Sequence, residues 1–384
     1  MGFEFATAGR ILFGPGVLKE AVPEAGRMGS RALLVTGGGT QRGASLIRSL
    51  AEAGVTCIPL PVLGEPTLDL VRGGVRSARE QNCDLVISFG GGSVIDAGKA
   101  VAALLANDGD VTGYLEVIGD GKPLLRPSVP FIAIPTTAGT GAEVTKNAVL
   151  ASQEHRVKAS LRSPFMLPRL AVVDPELTLD LPPSLTASTG LDALTQLIEP
   201  FVSLRANAMT DIFCAEGIRL ASGALPRAFR DGHNREARAD MSLASLLGGL
   251  ALANAGLGVV HGFAAPVGGM FPAPHGAVCA ALLAGGMDVN IRALRSRAPQ
   301  SETLLRYETV ARLLTGKSSA AAEDGVRWVQ ETCANLGIPP MRVYGITDVD
   351  VPALVDKASR ASSMKSNPIL LTSGELHEVL TRAL

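Results

Sequence analysis

The chain has 384 residues, a formal net charge of −1, 47% hydrophobic residues and only 18% charged residues. At roughly 100–200 residues per domain this length predicts two domains or one large one, and the composition excludes a disordered chain, which needs low hydrophobicity and high net charge. The balanced charge also argues against a dedicated nucleic-acid-binding protein, whose binding face carries a surplus of Lys and Arg.

The sequence also argues against a membrane or secreted protein. No run of about 18 apolar residues is uninterrupted, and Glu4 and Arg10 break the short apolar pieces of the N-terminal segment, which lacks a signal-peptide pattern. The five cysteines are scattered and form no CxxC pair, as expected for reduced thiols. We therefore expect a cytoplasmic protein with no membrane partner.

The first half of the chain alternates short apolar runs with helical patterns. Continuous apolar runs bounded by turn residues are typical of strands buried on both faces of a parallel sheet. The predicted strands are residues 32–36, 57–60, 85–89, 131–134 and 170–173, and predicted helices cover residues 43–53 and 68–81. This alternation predicts an α/β domain with a mostly parallel sheet.

The first predicted strand ends in a glycine-rich segment that bears on cofactor choice. NAD sites commonly carry an acidic residue after an early strand, where it binds the ribose 2′-hydroxyl, and none occurs here. Gly37, Gly38 and Gly39 leave room for a 2′-phosphate, with Thr40 and Arg42 as candidate partners. The segment therefore favours NADP, with a simple glycine turn as the alternative.

A second glycine run follows the predicted strand at residues 85–89 and opens a helix. Gly90, Gly91 and Gly92 have no Cβ, so the backbone can approach a ligand closely. The N–H groups and the dipole at a helix N-terminus favour a pyrophosphate. The segment matches neither of the two commonest phosphate fingerprints, and a glycine turn with Ser93 as N-cap is the alternative.

A third loop, at residues 135–145, has the sequence PTTAGTGAEVT and is dense in small hydroxyl side chains. We expect it at the C-terminal end of a parallel strand, where open α/β sheets bind their ligands. Its hydroxyl groups are suited to ribose or phosphate oxygens, although Thr and Gly also cap helices. Two such loops in one sheet favour a dinucleotide site.

The character of the sequence changes near residue 183, after which it is rich in Ala and Leu with helical spacing. Residues 1–183 are therefore predicted as the dinucleotide-binding domain and 184–384 as a helical domain. Because ligand sites are common in clefts between domains, we expect one there. Predicted breaks between helices are Pro200, residues 256–258 and residues 266–276.

The second half contains a candidate metal site. Asp192 and Gln196 are four residues apart on a predicted helix, so both side chains can face one side. His261 follows, and His275 lies in a predicted Pro-His-Gly loop. An aspartate with two histidines suits a divalent transition metal, and histidines hydrogen-bonded within the core are the alternative.

Together these segments resemble the iron-containing (group III) alcohol dehydrogenase family over essentially the whole chain. The family's GGGSxxDxxK signature is matched by residues 90–99, and its PTTAGTGAEVT segment by residues 135–145. Further matches are residues 174–178, 182–183, 189–195, 256–261, 274–276 and 367–368. The resemblance implies a dehydroquinate synthase-like fold, with an α/β dinucleotide-binding domain and an all-α C-terminal domain.

The resemblance also implies the chemistry, which is reversible hydride transfer between NAD(P)H and a small aldehyde or ketone. Fe²⁺ or Zn²⁺ would act as a Lewis acid on the carbonyl. The implied partners are a small alcohol or aldehyde substrate and further copies of the chain, in a homodimer or larger assembly. The implied metal ligands are Asp192, Gln196, His261 and His275, of which Asp192, His261 and His275 form the implied catalytic site.

The resemblance further implies a cofactor site for NAD(P), and glycines like those after the first predicted strand replace the acidic residue of NAD users in NADP-dependent members. The implied cofactor-binding residues are Gly37, Gly38, Gly39, Thr40, Gly91, Gly92, Ser93, Asp96, Thr136, Thr137, Thr140, Thr145, Asn147, Lys158 and Leu177.

Two positions depart from the family pattern of one Asp and three His ligands. Gln196 stands where the helix should carry a histidine, and an amide oxygen is a weaker donor for these metals. Four residues after His261, where the family usually has another histidine, this chain has Ala265. Three outcomes stay open: Asp192, His261 and His275 bind Zn²⁺ with water, a metal binds weakly, or Gln196 or another polar group holds the substrate without a metal.

Other functions also stay open. Maleylacetate reductases are related, but their glycine loop and first ligand commonly differ from the GGGSVIDAGK segment and Asp192 found here. A specialised aldehyde reductase with a degenerate metal site is a second alternative. A dinucleotide-binding protein without turnover is an alternative of a different class, because the metal ligands are altered.

Overall fold

The computed structural model describes residues 2–38 and 40–384, with the backbone alone at 40–42. The chain forms two compact units. The sheet unit contains Ala6–Thr137 and Gly141–Thr178, and the helical unit contains Leu179–Leu384, Ala138–Thr140 and the N-terminal segment up to Phe5. Each unit has its own apolar core.

A parallel sheet forms the centre of the sheet unit. Its strands are β1 (Ile11–Phe13), β2 (Arg31–Gly37), β3 (Thr56–Val62), β4 (Leu85–Gly90), β5 (Phe131–Pro135) and β8 (Leu170–Val173). Within the described residues their order is β1-β8-β5-β4-β2-β3, with every neighbouring pair parallel. A separate antiparallel hairpin consists of β6 (Asn147–Ser152) and β7 (Val157–Arg162).

Helices cover both faces of this sheet. They are α1 (Leu18–Met28), α2 (Thr40–Glu52), α3 (Leu68–Glu80) and α4 (Gly92–Ala106). Successive side chains of a strand point to opposite faces, so Leu33 and Val35 of β2 join the core beneath α3 and α4, whereas Ala32 and Leu34 join the core beneath α1 and α2. The predicted α/β domain with a parallel sheet is confirmed.

Nine helices make up the described part of the helical unit. They are α5 (Pro183–Val202), α6 (Ala208–Arg230), α7 (Arg235–Ala255), α8 (Val259–Met270), α9 (His275–Arg297), α10 (Glu302–Thr315), α11 (Ala322–Asn335), α12 (Val351–Ser359) and α13 (Ser373–Thr381). The predicted all-α character of this part is confirmed. α5 is central, because it is buried from Gly190 to Val202 and packs against α6, α7 and α9.

Two prolines predicted as breaks lie inside helices. Pro200 is in the last turn of α5 and Pro266 is in α8. A proline removes one backbone hydrogen bond from a helix, but both residues are buried, so packing of the surrounding helix outweighs this loss. The actual break lies at residues 271–274, and His275 is the first residue of α9 rather than part of a loop.

α9 is long and apolar enough to cross a membrane by length and composition, but 72% of its most apolar 18-residue window is buried inside the protein. The pair α7 and α8 meets the same criterion jointly, although it bends by 98° at the intervening break. Core helices of folded proteins commonly meet this criterion, so we assign α9 to the core.

Candidate functional site

The loops predicted to bind a cofactor follow neighbouring strands. β2, β4 and β5 run parallel side by side, with Thr36 opposite Phe89 and Gly90 opposite Pro135. Just beyond the strands, the Thr136 N–H donates a hydrogen bond to the Gly90 carbonyl oxygen over 3.0 Å. The three loops therefore share the carboxyl edge of the sheet, which is the usual ligand edge of such a sheet.

Gly91 is the N-cap of α4 and packs closely against Thr137. A Cβ built on Gly91 would lie 3.4 Å from both Cγ2 and Oγ1 of Thr137. Gly92 and Ser93 are the first two residues of the helix, where backbone N–H groups have no partner within the helix. The cap is thus Gly91 rather than Ser93, and this helix end is suited to an anion.

The glycines after β2 are only partly described. Gly37 ends the strand, and a Cβ built on Gly38 would lie 3.2 Å from Cδ2 of Leu63. Leu63 is 83% exposed, so its side chain can move aside. Gly39 and the side chains of Thr40 and Arg42 lie outside the described residues, so the predicted contacts of Thr40 and Arg42 with a 2′-phosphate stay predictions.

Asp96, Thr145 and Asn147, all predicted to bind the cofactor, surround a buried lysine. Lys99 donates hydrogen bonds to Thr145 Oγ1 over 2.7 Å and to the Asn147 carbonyl oxygen over 2.9 Å. Its Nζ also lies 3.7 Å from Asp96 Oδ1. Burial lowers the pKa of Lys99, and the charges of Asp96 and Glu143 oppose this effect. These residues therefore also stabilise the interior of the sheet unit.

The remaining predicted cofactor residues lie on separate elements. Lys158, on β7, is buried, and its Nζ lies 2.8 Å from Glu65 Oε1. Leu177 lies in the turn that follows β8, and Thr140 belongs to the helical unit. The Lys158 ammonium group is thus already paired with a carboxylate.

Four side chains of the helical unit converge in what we call the donor cluster: Asp192 on α5, His261 on α8, and His275 and Cys279 on α9. One donor atom of each lies within 4.8 Å of the others. Asp192 Oδ1 is 3.4 Å from His261 Nε2 and 3.6 Å from His275 Nε2. Cys279 Sγ is 3.8 Å and 3.7 Å from the same two nitrogens.

The structure thus brings together the three residues predicted as catalytic and adds Cys279, which was not among the predicted residues. A signal for it exists in the sequence, since Cys279 lies four residues after His275 on one helix and therefore on the same face. This spacing was missed because all five cysteines were treated as unrelated reduced thiols.

Two buried oxygens at this place lack hydrogen-bond partners among the described residues: Asp192 Oδ1 and Gln196 Oε1. The two residues are 1% and 3% exposed and lie one turn apart on α5. The ring nitrogens that face Asp192 Oδ1 are within ion-pair distance but not in hydrogen-bond geometry. An unsatisfied buried acceptor costs about 1–3 kcal/mol, so these oxygens fit a bound cation.

A second carboxylate, Glu199, orients one of the histidines. Its Oε2 lies 2.7 Å from His261 Nδ1, and its Oε1 accepts the Val260 N–H over 2.7 Å. A carboxylate partner of this kind holds the proton on Nδ1 and leaves Nε2 free to bind a metal. Glu199 was not predicted, although it lies seven residues after Asp192, on the same face of α5.

Electrostatics also favour a cation in the donor cluster. Burial disfavours a protonated imidazole, but Cys279 and Asp192 outweigh it and raise the pKa of His261 and of His275 above the ordinary value. In the same way, burial disfavours the Asp192 carboxylate, but the two histidines outweigh this and lower the pKa of Asp192. The cluster therefore attracts positive charge.

Comparisons with known proteins extend over both units. A family model for iron-containing alcohol dehydrogenases matches residues 8–175, and the C-terminal model of the Fe-containing alcohol dehydrogenase family matches residues 186–384. Alcohol dehydrogenase 4 of Schizosaccharomyces pombe is 35% identical, over 97% of this chain and 87% of that protein. The NAD-dependent methanol dehydrogenase of Bacillus methanolicus is 33% identical, over 97% of each chain. A crystal structure of a 1,3-propanediol oxidoreductase matches with a TM-score of 0.92 and 31% identity, covering 100% of both chains.

Proposed function

The chain belongs to the iron-containing alcohol dehydrogenase family, and we propose that it reduces small aldehydes or ketones with NADPH at a metal site in the helical unit. The family and the oxidoreductase function expected from the sequence are confirmed. The family binds NAD(P) and iron and acts on small-molecule substrates. The two alternatives, a maleylacetate-type reductase and a dinucleotide-binding protein without turnover, are not better supported than an alcohol dehydrogenase.

The metal site is proposed on one observation, the convergence of His261 and His275 on Asp192, whose buried Oδ1 has no hydrogen-bond partner among the described residues. The imidazole Nε2 atoms and the Asp192 carboxylate would hold Fe²⁺ or Zn²⁺, and Gln196 would add its amide oxygen as a weak donor. A divalent cation there would polarise the substrate oxygen as a Lewis acid. Glu199 keeps the His261 ring oriented towards the site.

The sheet unit is proposed to bind the dinucleotide at its carboxyl edge. The N-terminus of α4 would hold the pyrophosphate, next to Gly91 and Thr137. The glycines after β2 support NADP, because no carboxylate stands where it would repel a 2′-phosphate. NADH is the competing cofactor, since the methanol dehydrogenase relative is named as NAD-dependent.

One preparation tests these proposals together. We expect about one Zn or Fe per chain after growth with both metals, and a higher kcat/KM with NADPH than with NADH on a panel of short aldehydes, ketones and maleylacetate. Metal at trace level only would contradict the metal site. Binding of NADPH without turnover on any substrate of the panel would favour the reading as a dinucleotide-binding protein.

A cytoplasmic homodimer or larger assembly is also proposed, on the family resemblance. Leu204, Ile212 and Leu305 expose large apolar side chains on the helical unit. Ile212 and Leu305 are the chain neighbours of Asp211 and Arg306, which form an ion pair of 2.7 Å between α6 and α10. Light scattering of the purified protein should give at least twice the mass of the chain, and a monomer mass would contradict the proposal.

A further inference from the structure

We propose that Cys279 is itself a metal ligand, so that the site is an Asp-His-His-Cys set that selects Zn²⁺ over Fe²⁺. This inference rests on the proposed function in one respect, namely that the donor cluster holds a metal. It differs from the ligand set expected from the family, because the donor that completes Asp192, His261 and His275 comes from α9 instead of from position 196 of α5.

Four of the distances between donor atoms are close to those of a tetrahedral site. With bonds of about 2.1 Å to nitrogen or oxygen and about 2.3 Å to sulfur, neighbouring ligands of tetrahedral zinc lie about 3.4–3.6 Å apart. The two N···O distances to Asp192 are 3.4 and 3.6 Å, and the two N···S distances to Cys279 are 3.7 and 3.8 Å. An octahedral site with bonds of about 2.1 Å would bring neighbouring ligands to about 3.0 Å.

The position of Cys279 is fixed by the same helix that presents His275. The thiol is buried, and its sulfur faces both histidine Nε2 atoms. An independent observation points to a ligand at this place, since Asp192 is 1% exposed and its Oδ1 has no hydrogen-bond partner within the described chain. A cation held among the four donors would satisfy this oxygen.

The chemistry of the donors decides which metal they prefer. Cysteine binds a metal as the thiolate, so the Cys279 proton passes to solvent when the Sγ–metal bond forms. Thiolate is a soft ligand that favours Zn²⁺ in tetrahedral S/N sites, whereas a set with one carboxylate and imidazoles suits Fe²⁺ as well. One carboxylate and one thiolate also balance the charge of a divalent ion.

His275 is the most exposed of the three ligands Asp192, His261 and His275. The side chain of His275 is 33% exposed, whereas those of Asp192 and His261 are only 2% and 6% exposed. Zinc in enzymes sometimes expands to five ligands, so four protein donors still leave access for a substrate from the side of His275. Gln196 is then not required as a ligand.

Two spectroscopic measurements test the proposal. Zinc-edge X-ray absorption of the wild-type protein should show one sulfur neighbour at about 2.3 Å. The Co²⁺-substituted protein should show a thiolate-to-cobalt charge-transfer band in the near ultraviolet. Cys279→Ser should abolish the band and lower the Zn²⁺ affinity at least about 100-fold, since loss of a mere outer partner costs 10–100-fold.

Cys57→Ser is the matched control, because Cys57 is a half-buried thiol on β3 of the sheet unit, and it should keep both the band and the zinc. A metal bound without a sulfur neighbour, or a band that survives in Cys279→Ser, overturns the inference and leaves the proposed function standing. If the wild-type protein binds neither Zn²⁺ nor Fe²⁺, both fail. Should Cys279→Ser not fold, the absorption spectrum of the wild-type zinc protein decides.

Discussion

Single side chains in the helical unit are held in place by specific neighbours. His261 receives its orientation from Glu199, whose carboxylate binds the ring Nδ1 and the backbone of the same helix. The Asp192 carboxylate is buried and lies beside the two histidines and Cys279. Glu199 therefore determines that Nε2 of His261 is the nitrogen that faces the donor cluster.

Removing the charge of Glu199 tests that role. We expect Glu199→Gln to lower Zn²⁺ or Fe²⁺ affinity and kcat/KM by about 10–100-fold, because the ring of His261 loses the partner that fixes its tautomer. Metal content by elemental analysis and steady-state kinetics measure the effect. Glu216→Gln, which removes an exposed carboxylate on α6, is the control, and equal behaviour of the two variants would contradict the positioning role.

Glu143 gives a pH dependence to the sheet unit. Burial raises the pKa of Glu143 from 4.5 to about 7 in the folded protein. A raised pKa means that this group contributes full stability below about pH 4.5 and that the contribution is lost as pH rises through 7. At about 1.4 kcal/mol per pKa unit the loss amounts to roughly 3 kcal/mol.

We therefore expect Glu143→Gln to be more stable than the wild type at pH 8, with the difference shrinking towards pH 5. Denaturant unfolding at both pH values measures it. Glu80→Gln, at an exposed position in the last turn of α3, should show no such pH trend. A difference that is the same at pH 5 and pH 8 would sink the assignment of the raised pKa to Glu143.

The glycine after β2 tests the cofactor preference. A carboxylate at position 38 would repel a 2′-phosphate and accept a hydrogen bond from a 2′-hydroxyl, and the exposed Leu63 can give way to it. Gly38→Asp should lower kcat/KM with NADPH at least about tenfold and favour NADH. Gly38→Asn adds a side chain of the same size without charge. If it lowers kcat/KM with NADPH as much as Gly38→Asp does, the size of the side chain and not its charge determines the cofactor preference.

At the level of elements, the N-terminus of α8 shows how distant segments prepare the site. Its N-cap, Gly258, makes no side-chain hydrogen bond, so the first N–H groups need partners from elsewhere. Asn367 accepts the Val259 N–H over 3.1 Å, and Glu199 accepts the Val260 N–H over 2.7 Å. The helix that carries His261 therefore begins at a place set by α5 and by the segment before α13.

The contact between α4 and the sheet gives a prediction for two helical glycines. A Cβ on Gly98 would lie 2.0 Å from Ser88 Oγ and 2.9 Å from Phe131 Cε2, whereas nothing lies within 4 Å of a Cβ on Gly73 of α3. Gly98→Ala should destabilise the protein by about 1–3 kcal/mol through overpacking. Gly73→Ala should stabilise it by about 0.5–1 kcal/mol through helix propensity.

Thermal or denaturant unfolding of the two variants measures this contrast. Because both changes add one methyl group to a helix of the sheet unit, propensity alone would shift them in the same direction. Shifts of equal sign would therefore contradict the tight packing of α4 on β4.

Elements were predictable where the pattern was continuous. The predicted strands all lie within β2, β3, β4, β5 and β8, because uninterrupted apolar runs have few other uses in an α/β chain. β1 was missed because it has only three residues, and the β6–β7 hairpin because no two-residue turn signal joins its strands. Pro200 and Pro266 were wrongly predicted to end helices, because the packing of the buried helices α5 and α8 outweighs the low helix propensity of proline.

For the whole molecule, the residues proposed to hold the metal lie in the helical unit, the residues proposed to hold the pyrophosphate lie in the sheet unit, and each unit has its own core. We therefore expect chelation of the metal to abolish turnover while NADPH still binds with unchanged affinity. Isothermal titration of the chelated protein with NADPH measures this, with readdition of Zn²⁺ or Fe²⁺ to restore turnover as the control. Loss of NADPH binding on chelation would show that the two sites depend on each other.

The sequence by itself determined the class of the fold, the family and the loops suited to a dinucleotide, because these depend on local patterns of apolar residues, glycines and hydroxyls. It also identified Asp192, His261 and His275 as a set. The helical spacing of Cys279 from His275 and of Glu199 from Asp192 is visible in the sequence, but only the tertiary structure showed that these side chains meet the set across three helices. Only the tertiary structure showed Lys99 buried among predicted cofactor residues. The reason is physical: which distant side chains meet depends on how helices pack, and local periodicity carries no record of that.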